Sequence, residues 1–124
     1  MDSRLFYSKF HAALSHVVWD KHGGEEYVLV GDGLATDLSR LQALVERTFS
    51  EPVLCLPASR RSLVEFSSSE AAAQIAEYLT TEPMVAVSDP SACTFLQAHA
   101  TGVARTGRAQ ANNSSKPTPL RGAA

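Results

Sequence analysis

The feature that most constrains this chain is the order of its apolar runs between Glu25 and His99: strand, helix, strand, then strand, helix, strand. Residues 26–31 (EYVLVG) are apolar and β-branched and close on Asp32-Gly33, the pattern of a strand running into a turn. Thr36 or Asp37 can then cap a helix that lines up Leu38, Leu41, Leu44, Val45, Thr48 and Phe49 before Glu51-Pro52 breaks it. Residues 52–57 (PVLCLP) and 62–66 (SLVEF) read as two strands joined by a turn at residues 58–61. Ser67-Ser68-Ser69-Glu70 has the form of a capping box, and the helix it starts places Ala72, Ile75, Ala76 and Leu79 on one face. Two short extended segments follow at residues 84–87 and 93–97, separated by a turn at 88–91. This order predicts an α+β domain of the split β-α-β-β-α-β kind, a four-stranded antiparallel sheet with both helices on one face. The opposite face is then open, and that is where binding is expected.

The flanks read differently. Leu5, Phe6, Phe10, Ala13, Leu14, Val17 and Val18 recur every three to four residues, with Ser3 as an available cap and Gly23-Gly24 as the stop. Residues 1–24 are therefore expected to be an amphipathic helix outside the domain proper, although residues 14–19 also fit a strand. From Thr101 onward the chain is rich in Gly, Ala, Ser, Asn and Pro without apolar periodicity, so residues 101–124 are expected to be a disordered basic tail. Residues 25–100 form the domain between them.

Charge follows the same division. Residues 1–100 hold thirteen Asp and Glu against seven Lys and Arg, a net −6, whereas the tail carries Arg105, Arg108, Lys116 and Arg121 and no acid. Phosphate binding draws on basic surface, so an acidic body argues against strong general nucleic-acid binding. No apolar run approaches the ~20 residues that span a bilayer, and the N-terminus lacks the basic start and apolar stretch of a secretory signal. Cys55 and Cys93 lie within apolar segments and read as reduced core thiols. The expectation is an intracellular protein, nuclear or cytoplasmic, with no membrane association.

Catalytic and metal patterns are missing. His11, His16, His22 and His99 form no close ligand pair with each other or with the cysteines, so no metal site is expected. There is no nucleophile beside a base and no phosphate loop, and Gly31-Asp32-Gly33 reads as a strand-to-helix turn. The chain is expected to be neither an enzyme nor a cofactor carrier.

Residues 62–66 followed by SSSEAAAQIAEYL resemble the third strand and second helix of an RNA-recognition motif, and residues 27–34 (YVLVGDGL) resemble that family's first-strand motif. The longer run from Arg60 to His99 is similar to the polypyrimidine-tract-binding-protein and hnRNP L group. There a tyrosine-ended helix leads into an extra short strand, a turn and the fourth strand; Tyr78, residues 84–87 and residues 93–99 take those places here. The resemblance covers residues 25–99 and implies a ferredoxin-like RNA-recognition-motif sandwich with an added N-terminal helix. The family usually stacks bases on exposed aromatics. This sequence has Leu29 at the first-strand position, and Arg61 and Leu63 where the third strand would carry aromatics. By analogy with the group that also lacks them, Leu29, Arg60, Arg61, Leu63, Gln97 and His99 are the candidate RNA contacts.

Two functional readings follow. In one, the chain is a module for single-stranded RNA, not DNA, acting in RNA processing or mRNA regulation through a non-aromatic sheet. In the other, it is a pseudo-RNA-recognition motif that binds protein within a ribonucleoprotein assembly, through the Leu29–Leu63 surface or through Phe6, Phe10 and Trp19 of the N-terminal helix. That helix reads first as packing, and otherwise as a docking element or a cover over the open face. Small-ligand binding at a dimer interface, known for other split β-α-β domains, has no marker in the sequence.

Overall fold

A computed structural model describes residues 2–110. Helix α1, Ser3–Leu14, is capped by Asp2 rather than Ser3: the Asp2 carboxylate accepts from the amides of Arg4 (2.9 Å) and Leu5 (3.2 Å). It stops at Leu14, and the β-branched pair that follows belongs to strand β1, Val17–Trp19. Strand β2 is only Val28–Leu29. Helix α2, Leu38–Thr48, is capped by Asp37 and buries Leu41, Leu44 and Val45. Strands β3, Val53–Ser59, and β4, Ser62–Ser67, form a hairpin whose tight turn is Arg60-Arg61. The Ser67 hydroxyl accepts from the Ser69 amide, not that of Glu70, and starts a single 3-10 turn that feeds helix α3, Ala71–Tyr78. Strands β5, Met84–Ser88, β6, Thr94–His99, and β7, Val103–Ala109, then run as a meander.

The α+β class holds, but the sheet is larger than four strands. Seven antiparallel strands lie in the order β1-β7-β6-β5-β3-β4, and β2 shares the outer edge of β7 with β1. Placing residues 101–124 in a disordered tail is corrected for Val103–Ala109, which is an interior strand paired on both sides. Its small residues signal close packing. Ala104 is fully buried, and a Cβ on Gly107 would meet the Val18 carbonyl oxygen at 2.5 Å where β1 crosses. Backbone pairing to two neighbours, not side-chain volume, holds this strand. The rest of that tail, residues 111–124, lies outside the described residues.

The separation of residues 1–24 from the domain is also corrected. Helices α2 and α3 pack on one sheet face over Leu54, Leu56, Val85, Val87, Leu96 and Ala98. Helix α1 packs on the other face, burying Phe6 and Phe10 against Cys55 and Phe95, with Leu63 and Ala86 partly covered. Phe10 meets Phe95 edge-on, with ring centroids 5.1 Å apart. The architecture is therefore helix, sheet, helix. Because β1 contributes to the sheet and α1 to the core, the N-terminal segment is part of the fold.

Candidate functional site

The sheet order separates residues that the sequence reading groups together. Leu29 lies at one edge on β2, and Arg61 precedes β4 at the other. Five strand spacings, roughly 24 Å, lie between them. Leu29 is exposed, but Leu63 is partly covered by α1 and Gln97 is buried. Phe6 and Phe10 are 3% and 1% exposed, so they hold α1 to the sheet and offer nothing to a partner.

Around Gln97 the face carries a network centred on Arg105. Arg105 of β7 donates from Nε to Gln97 (2.8 Å) and from a terminal nitrogen to Glu26 (2.8 Å). Its guanidinium lies 3.9 Å from the Trp19 ring centre and 5.0 Å from that of Tyr27. Tyr27 in turn meets His99 edge-on at 5.6 Å. The Arg105 hydrogen bond, then that of Lys21, hold the Glu26 carboxyl below its ordinary range. Burial, and then the nearby Arg105 charge, lower His99 from the usual histidine value. Trp19, Gln97 and His99 are thus gathered here by Arg105, which lies in the segment read as tail. Two of its nitrogens are engaged, Nε by Gln97 and one terminal nitrogen by Glu26.

At the opposite end a different group converges. Arg4, Tyr7, Ser8 and His11 make a single stripe on α1, at spacings of three and four residues, flanking the buried Phe6 and Phe10, with the His11 ring edge-on to Phe10 at 5.3 Å. The stripe and the Arg60-Arg61 turn together line one open pocket. The Arg60 guanidinium lies 5.9 Å from the Tyr7 ring centre, and the Tyr7 and His11 rings meet at a tilt of 51° with centroids 4.3 Å apart. Ion pairs among the described residues join Lys21 and Arg105 to Glu26 and Arg40 to Asp37, and none involves Arg4, Arg60 or Arg61. The pocket therefore offers three solvated guanidiniums, two hydroxyls and an imidazole, a donor set suited to phosphate oxygens.

Sequence reasoning found Arg60 and Arg61 but missed Arg4, Tyr7, Ser8 and His11. The signal was present as the polar stripe of an amphipathic helix; what it faces depends on where the helix docks. The cysteines also separate: Cys55 is buried, whereas Cys93 is exposed rather than in the core, and both are free. Burial, with Glu65 and then Asp89 nearby, pushes the Cys55 thiol up to about 11, which keeps it protonated at neutral pH. No cluster of three or more His, Cys, Asp or Glu suited to a metal occurs among the described residues, nor does any helix long and apolar enough to cross a membrane. Compared with protein-family models, curated proteins and solved structures, the chain matches none.

Proposed function

We propose that this chain binds single-stranded RNA, gripping its phosphates in the pocket between α1 and the β3–β4 turn. The observation that carries the reading is the convergence of Arg4, Arg60 and Arg61 on one concave site with no carboxylate paired to any of them. Guanidiniums held without an internal partner release counterions when phosphate arrives, which is the main source of nucleic-acid affinity. Tyr7 and His11 beside them supply rings on which a base can stack. The local likeness of residues 62–79 to an RNA-recognition motif supports the same reading, in a sheet larger than that family's four strands. The role is binding, not catalysis.

The test is a titration of labelled oligo-U over a range of salt concentrations. Micromolar binding is expected, with log affinity falling by roughly 2 per decade of salt, since three neutralised phosphates contribute about 0.7 each. Salt-independent binding, or none at low salt, sinks the reading.

A second reading, a pseudo-RNA-recognition motif that docks on protein, has its own support. Leu29 (65% exposed), Met84 (40%) and Tyr27 (39%) are large apolar side chains left exposed, on β2, on β5 and just before β2. Leu29→Asp separates the two, leaving oligo-U affinity unchanged if RNA sits at the basic pocket.

A further inference from the structure

The sheet is most sparsely paired at its middle. Strands β3 and β5 pair at a single position, Cys55 with Ser88, and beyond it they part. Pro57 sits in the parting segment of β3, where it has no amide to donate to a neighbour. The gap is a cleft of about 250 Å³. Phe10 and Leu14 of α1, Leu56 and Pro57 of β3, Val85 of β5 and Tyr78 of α3 wall it, so it opens between the two helical layers. A dry cavity of about 150 Å³ takes a benzene-sized ring, so this one has room for a larger planar group.

Its position gives it an occupant. His11 lines both this cleft and the basic pocket of Arg4, Arg60 and Arg61, so an apolar slot and a phosphate-binding site adjoin along one helix face. A nucleotide has that same division, a flat base at one end and a phosphate at the other. We propose that the β3–β5 cleft is a nucleobase pocket, taking one unstacked base of a strand whose phosphate lies at Arg4, Arg60 and Arg61. The inference rests on the RNA reading and adds to it that one base is enclosed. Main-chain groups of β3 and β5 along the parting strands, with Glu82 and His11 at the rim, meet the polar edge of the base, while the half-buried Leu14, Pro57 and Ala86 meet its faces.

The experiment compares uridine and adenosine 5′-monophosphates with ribose 5-phosphate on the full chain at fixed salt, followed by calorimetry and by methyl NMR of Leu14 and Val85. The nucleotides should bind roughly tenfold or more tightly than the sugar phosphate, as one enclosed base warrants. Ala86→Leu, which fills the cleft, and Ala58→Trp, which closes its exposed rim, should each erase that advantage without weakening ribose 5-phosphate. Two outcomes overturn the base pocket: equal binding of all three compounds, or an advantage that survives both variants. If oligo-U still binds in either case, the RNA reading stands alone. Nucleotides held in the cleft without oligo-U binding would support the pocket and sink the RNA reading; no binding by any compound overturns both.

Discussion

Arg105 and the Arg60-Arg61 turn sit at opposite ends of the same sheet face, each beside aromatic rings, and they are put to different uses. Arg105 lies on an interior strand, its guanidinium 3.9 Å from the Trp19 ring centre, with Gln97 and Glu26 each at 2.8 Å. Arg60 and Arg61 stand in a two-residue turn, with Tyr7 and Arg4 delivered to them by a helix and no carboxylate paired to either. Under the proposed function, the same guanidinium chemistry stabilises the fold where it is paired internally and recruits phosphate where it is not. Residue type alone does not decide between them; the partner does.

The comparison breaks most severely if α1 leaves the sheet. Phe10→Ala removes a fully buried ring against Phe95 and should cost about 3–5 kcal/mol, read from urea unfolding. It should also abolish oligo-U binding where the chain remains folded, because Arg4 and Tyr7 no longer face the turn. Next in size is Arg105→Ala. Losing the stack on Trp19 and the charged hydrogen bond to Gln97 should cost about 2 kcal/mol, with oligo-U affinity unchanged. The double change Arg60→Ala with Arg61→Ala should do the converse. Unfolding stability stays within about 0.5 kcal/mol, while affinity for oligo-U drops roughly tenfold, about 1.4 kcal/mol. If Arg105→Ala weakens RNA binding as much as the turn variant, the division between the two regions fails.

The smallest effect is a pH dependence confined to the Arg105 end. His99 is held below the ordinary value of 6.5, chiefly by burial. In the window beneath that value the unfolded chain binds the proton more readily than the folded one, so stability is full above it and falls as pH drops through it. His99→Gln should flatten the decline in melting temperature between roughly pH 7 and pH 5 relative to the parent chain. An unchanged slope would place the acid sensitivity elsewhere.

Much of the local structure was legible. The spacing of Leu41, Leu44 and Val45 marked α2, and Ser67 marked the start of the helical segment that becomes α3. The run of residues 62–66 marked β4, because periodicity and capping are local. Strand β7 was not legible: Ala104 and Gly107 carry no apolar volume, and their burial comes from neighbours distant in sequence. Strand order was not legible either. An apolar alternation says that a strand has a buried side but not which strand lies beside it, so Leu29 and Arg61 were read as one site when the sheet puts them at opposite edges. The basic pocket was half visible, since the Arg60-Arg61 turn is contiguous whereas its other wall arrives on α1.

What the sequence determined by itself was a partial inventory: the helical segments α2 and α3, the strands between residues 53 and 99, that α1 is amphipathic, and that two arginines occupy a turn. Tertiary structure decided where each of these faces. An amphipathic helix must bury its apolar stripe, but only the docking of Phe6 and Phe10 on Cys55 and Phe95 chooses the sheet face it covers, and with it the direction of Arg4, Tyr7 and His11. The physical reason is range. Propensity and capping act within a turn or two of chain, whereas the pairing of guanidiniums with acids, aromatics or open solvent depends on residues brought together from across the fold.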